Sequence, residues 1–280
     1  MSATKPVIPT RYVAIGDSMT EGLWDEDPHA PGALRGWADR FAAGVTARRY
    51  EDGLEPLEYA NLAIRGRLLG PILTEQLPLA LSAAPDLVSI VGGGNDLLRP
   101  GSDPDRLAVE LDRAVRTARA EGAQVLLATG TDTRNAGLLR RIRPKVAIYN
   151  AHIWSIANRY GAHVLDIWGL HPLQDWRMWA EDRIHLSSLG HARVADAALV
   201  ALGLDPEDRA WQVPLGRAPA TPATQQLRSD AAWVARDVYP WAARRLRKRS
   251  SGDERAPKRP ELLPVTFPGS SPTPSHNSDA

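Results

Sequence analysis

The sequence predicts an α/β fold, a three-layer α/β/α sandwich with a five-stranded parallel sheet. Short apolar runs alternate with longer stretches of helical composition from Arg11 to about Gly203, the pattern of a parallel sheet covered by crossover helices. No internal repeat breaks that alternation. The first run, Arg11-Tyr-Val-Ala-Ile-Gly-Asp-Ser18, ends abruptly in a small polar turn, and open α/β sheets bind ligands at the carboxyl ends of their strands.

Strands are expected over 11–16, 57–61, 86–91, 123–129 and 162–167. Tyr12 to Ile15 are aromatic, β-branched or small residues suited to a buried strand, and Gly16 can end it without a Cβ constraint. Helices are expected at about 33–50, 69–83, 103–121 and 138–160. Asp103-Pro104 supplies a cap and a first helical residue, whereas Pro144 marks a late start or a kink. Residues 168–179 read as irregular or briefly helical. A final helix from about Ser188 to Leu202 should pack through Leu189, Ala192, Val194, Ala195, Ala198 and Leu199.

This divides the chain into an extension (1–10), a main domain (11–205), a Pro/Ala-rich linker with a basic amphipathic helix (206–249) and a tail (250–280) whose Pro, Ser and charge content predicts disorder. Tyr239-Pro240 is an obstacle to continuity in the helix, placed at about 225–248.

The 280 residues are 43% hydrophobic, enough for a sizeable core. No apolar run approaches the roughly 18 residues of a membrane span, and the first ten residues lack a secretory apolar core, so the cytoplasm is the expected location. The absence of Cys excludes disulfides, thiolate metal sites and a Cys nucleophile. Residues 241–280 hold eight Lys/Arg against four Asp/Glu, while residues 1–240 hold 26 against 29. In the slightly acidic main part the basic residues are interspersed with acids, and nothing there suggests a nucleic-acid-binding surface.

Ser18, at the mouth of the first strand, is a candidate nucleophile, and its hydroxyl needs a base to remove its proton. Of seven histidines, only His185 has an acid in short-range register and follows the last predicted strand. Asp182 can accept its second ring N–H, fixing the tautomer and stabilising the imidazolium. Gly92-Gly-Gly-Asn-Asp96 does not spell a nucleotide-binding loop, and the Gly-x-Ser-x-Gly elbow is absent.

Four blocks, Gly16-Asp-Ser-Met-Thr-Glu-Gly22, Asn61-Leu-Ala-Ile-Arg-Gly66, Gly93-Gly-Asn-Asp96 and Asp182-Arg-Ile-His185, together resemble the SGNH hydrolases, also called the GDSL esterases and lipases, over roughly residues 10–203. The resemblance implies a flavodoxin-like sandwich and cleavage of a small-molecule carboxylic ester through an acyl-serine, with no cofactor or metal. It also implies three oxyanion donors: the backbone N–H groups of Ser18 and Gly66 and the side-chain amide of Asn95. A carbohydrate acetyl ester, a lysophospholipid and a thioester are equally open as substrates.

Asp17 and Asn61 are expected to hold turns, and Asp96 to cap a helix or anchor a loop. His29, His152, His163, His171, His191 and His276 read as surface or packing residues. Trp24, Trp37, Trp168, Trp176 and Trp179 are candidates for lining a pocket. The cluster Arg244 to Arg249 reads first as a solvated helix end and second as a weak contact with an anionic membrane surface. No obligate protein partner and no nucleic acid is expected. A non-catalytic binding or peripheral membrane protein acting through its basic tail is the alternative function.

Overall fold

The computed structural model describes residues 8–218, 233, 236, 252–253 and 255–266. Its elements are β1 (Arg11–Gly16), α1 (Ser18–Glu21), α2 (Trp37–Glu51), β2 (Glu58–Asn61), α3 (Leu69–Pro71), a π turn (Ile72–Gln76), α4 (Leu77–Ser82), β3 (Leu87–Val91), α5 (Gly94–Leu97), α6 (Pro104–Ala120), β4 (Gln124–Ala128), α7 (Arg143–Tyr160), β5 (His163–Leu165), α8 (Ser188–Ala201) and β6 (Arg259–Pro264), with short 3-10 turns between.

The two-residue period of the strands creates the layers. In β1, Tyr12 and Ala14 enter one apolar core while Val13 and Ile15 enter the other; in β4, Leu126 and Ala128 part from Val125 and Leu127 in the same way. The first core is closed by Trp37, Phe41 and Val45 of α2 and by Val194, Ala198 and Leu199 of α8. The second is closed by Leu77 of α4, Leu107, Leu111 and Val115 of α6, and Val146 and Ile153 of α7. Burying each large apolar side chain contributes roughly 1.5–3 kcal/mol, offset by the entropy of ordering it. Leu189, expected inside, is 41% exposed and Ala192 is only partly buried; the inward face of α8 runs instead through Gly190, His191, Val194 and Ala198.

The strand order is β5-β4-β3-β1-β2-β6. β1 to β5 are parallel, and β6 runs antiparallel to β2. The chain therefore reverses its direction of travel across the sheet between β1 and β3, which places the crevice of a doubly wound sheet at the carboxyl ends of those two strands.

One expectation is corrected, and of the two readings of Pro144 the late helix start holds. The sheet has six strands, because Arg259–Pro264, assigned to a disordered tail, pairs with the free edge of β2 in the register Glu58↔Pro264, Tyr59↔Leu263 and Asn61↔Arg259. Two prolines and two charges made the segment unlike a strand, yet an outer edge tolerates both because one side of its backbone needs no partner. Arg259 adds a hydrogen bond from Nε to the Tyr59 carbonyl at 2.7 Å. The fourth predicted helix starts late: α7 begins at Arg143, with Pro144 in its first turn where no N–H is needed, after a 3-10 turn over Gly137–Ile142. The amphipathic helix at about 225–248 and the cluster Arg244 to Arg249 lie outside the described residues, apart from Trp233 and Arg236. No helix among the described residues is long and apolar enough to cross a membrane.

Candidate active site

Ser18 stands where β1 gives way to α1. Asp17 caps that short helix, its Oδ1 accepting from Met19 N–H at 3.1 Å, so the serine is the first helical residue and lies at the crevice. The strand end is clamped by a residue that sequence reasoning missed. Gln76, buried in the π turn, accepts from Gly16 N–H at 2.8 Å and donates to the Gly16 carbonyl at 3.0 Å. A lone amide among Ile72, Leu77 and Ala80 was the available signal, since a buried polar side chain needs partners.

His185 and Asp182 share a small hairpin. Trp179 and Leu186 form an isolated antiparallel bridge, and Ala180 N–H donates to the His185 carbonyl at 2.8 Å. At the tip, Asp182 Oδ1 accepts from Ile184 N–H and His185 N–H, both at 3.0 Å. Its Oδ2 accepts from His185 Nδ1 at 2.6 Å, leaving Nε2 to accept from the Ser18 hydroxyl at 2.9 Å. Burial pushes the Asp182 carboxyl up, but the hydrogen bond and charge of His185, with the two backbone N–H groups, more than offset this and hold it below the ordinary range.

The remaining blocks meet Ser18 from the other side. Gly66 has φ 74, in the left-handed region that favours glycine. Its loop is tied to the first block by Glu21, which accepts from Arg65 N–H at 2.6 Å and from the Arg65 guanidinium at 2.9 Å. Asn95 rises at the start of α5, whose cap Gly93 has φ 97 and lies so close to Tyr149 that a Cβ would sit 2.7 Å from its ring. The Asn95 amide donates to Asp17 Oδ2 and to the Arg67 carbonyl, each at 3.1 Å. Burial raises the Asp17 carboxyl to about 6, against the pull of Met19 N–H and of the nearby His185. Asp96 anchors a loop, its Oδ2 accepting from Leu69 N–H at 3.0 Å. Asn61 holds a turn, donating to the Thr20 carbonyl at 2.8 Å and accepting from Ala63 N–H at 3.1 Å.

Ser18, Gly66, Asn95, Asp182 and His185 all line one cavity of about 630 Å³. Trp24, Trp176 and Trp179 line it too, whereas Trp37 is wholly buried in the first core and Trp168 packs against the second. His191 touches the cavity but is buried, its Nδ1 accepting from Trp37 N–H at 3.1 Å; burial pulls its pKa down to about 4, so it is a neutral packing residue. Among the described residues no three His, Asp or Glu side chains gather as a metal site.

The model of the GDSL-like lipase/acylhydrolase family matches residues 14–193, more than half of the chain. The chain belongs to that family. As a GDSL-like protein it is similar in structure to TesA, at 26% identity and a TM-score of 0.55 over 69% of this chain and 97% of the other. It is also similar to a variant of Axe2, an acetyl xylan esterase from Geobacillus stearothermophilus, at 21% identity and a TM-score of 0.59, covering 75% of this chain and 97% of that one. A third similar structure is the esterase EstA from Pseudoalteromonas sp., inhibited by monoethylphosphonate, at 17% identity and a TM-score of 0.54 over 69% and 97% of the two chains. The last two likenesses concern the fold alone. A comparison with curated proteins gives no match. Both β6 and Trp233 fall outside the part of the chain that matches the family model.

Proposed function

We propose that this GDSL-like hydrolase cleaves carboxylic esters through a covalent acyl-serine, with Ser18 as nucleophile, His185 as base and acid, and Asp182 as its orienting partner. The observation that carries the reading is the unbroken chain from Ser18 Oγ to His185 Nε2 at 2.9 Å and from Nδ1 to Asp182 Oδ2 at 2.6 Å. Ser18 Oγ attacks the carbonyl carbon as its proton passes to Nε2, and the carbonyl π electrons move onto oxygen. On collapse the C–O bond to the alcohol breaks and Nε2 returns the proton to the leaving oxygen. Water then repeats the sequence on the acyl-enzyme, with His185 again taking and returning one proton.

The developing oxyanion is assigned to the backbone N–H groups of Ser18 and Gly66 and to Asn95 Nδ2. Both Asn95 hydrogens are engaged at 3.1 Å, within the ordinary range, and a full negative charge competes well for one of them. The alcohol must leave beside Nε2, on the α8 side of the sheet. The acyl group then points to the opposite wall, where Leu97, Leu98, Leu139, Ile142 and Val146 line the cavity. Those side chains suit an aliphatic chain longer than acetyl.

The test is turnover of p-nitrophenyl butyrate together with labelling by a fluorophosphonate. Ser18→Ala should abolish both in a folded protein; a variant as active as the parent removes Ser18 as the nucleophile.

A further inference from the structure

Beyond the part of the chain that matches the family model, one side chain returns to the hairpin that carries His185. Trp233 Nε1 donates to the Asp182 carbonyl at 2.7 Å. Its ring lies 5.2 Å from the Arg183 guanidinium, which also faces the Trp176 ring at 5.7 Å. Arg236, three residues on, pairs with Glu181 at 3.4 Å and joins Arg183 in lining the cavity. Glu181, Asp182 and Arg183 are thus each engaged from about fifty residues away in sequence.

The hairpin needs such a hold. Arg183 has φ 57, a conformation that L side chains rarely adopt and that persists only where the surroundings over-determine it. The same turn must keep Asp182 Oδ2 at 2.6 Å from Nδ1 while Nε2 stays 2.9 Å from Ser18 Oγ, and small displacements of such a chain cost rate steeply. Asp182 turns its carboxylate to the imidazole, and its backbone carbonyl, in a residue that is itself buried, needs a donor. Trp233 supplies that donor and a planar face for the strained neighbour.

We infer that Trp233 is a positioning residue for the Asp182–His185 pair, so that the segment beyond the matched region is part of the working enzyme. This rests on the assignment of Ser18, His185 and Asp182 above. It implies that residues beyond the matched region, and not that region alone, set the turnover number.

The experiment compares Trp233→Ala and Trp233→Phe with the parent in the full chain, using p-nitrophenyl acetate turnover and the proton NMR signal of His185 Nδ1–H. Trp233→Phe keeps a ring over Arg183 and loses only the N–H, which covers the case in which the alanine variant unfolds. The expected result for the alanine variant is a kcat lower by about tenfold, KM within about twofold of the parent, and a broadened or displaced Nδ1–H signal. The phenylalanine variant should fall between the two. An unchanged kcat, a change in KM alone, or a lower kcat with the Nδ1–H signal of the parent would each overturn the inference. Should the parent itself lack esterase activity, the ester-hydrolase reading fails, while the NMR signal still decides whether Trp233 positions His185.

Discussion

The side chain of Asp17 holds that of Asn95: Oδ2 accepts from Nδ2 at 3.1 Å, while Oδ1 accepts from Met19 N–H at the same distance. Asp17 therefore ties the start of α1, and Ser18 with it, to the third block, and the two carboxylate oxygens have separate duties.

Asp17→Asn separates those duties. The new amide can still accept from Met19 N–H through its oxygen, but its nitrogen then opposes Asn95 Nδ2, donor against donor. We predict a kcat on p-nitrophenyl butyrate lower by about tenfold with little change in KM, less than the ~10²–10³ that the proposed oxyanion role of Asn95 predicts for Asn95→Ala. Steady-state kinetics of both variants check the order; an Asp17→Asn enzyme with parental kcat would contradict it.

The wall opposite His185 makes a second prediction. Val146 is buried in the second core and also lines the cavity. Replacing it with Trp fills the space assigned to the acyl chain. The ratio of kcat/KM for p-nitrophenyl octanoate to that for the acetate should fall by at least about tenfold. A ratio equal to that of the parent would place the acyl chain elsewhere.

Asp132 carries a pH prediction. Burial works to raise its carboxyl, but hydrogen bonds from Arg143 and Arg134 prevail and hold it at about 2. Because the folded value lies below the unfolded one, the contribution to stability is fully present above about pH 4 and is lost as pH falls toward 2. Asp132→Asn should thus be less stable than the parent at pH 6, with the gap narrowing through that window. Urea midpoints measured from pH 6 to pH 2.5 read this directly, and a gap independent of pH would refute it.

Most of the fold was legible because β1, β3 and β4 are continuous apolar runs, and because Asp103-Pro104 starts α6 as its residues demand. β6 was not legible: its prolines and charges suit an edge strand as well as an unstructured tail, and only the open side of β2 decides between them. The chain from Ser18 through His185 to Asp182 was readable from chemistry and order. Gln76 and Trp233 were not, because each acts on a backbone carbonyl far away in sequence, and no local pattern records such a partner. The split of the tryptophans was equally hidden, since Trp37 and Trp176 differ only in which way their elements face.

The central claim is that Ser18 carries the acyl group. The most direct measurement is intact-protein mass spectrometry of the enzyme quenched in acid during turnover of p-nitrophenyl butyrate, followed by peptide mapping. One butyryl group on Ser18, absent from Ser18→Ala, is the predicted result. Turnover with no acyl adduct at Ser18, or an adduct on another residue that persists in Ser18→Ala, would contradict it.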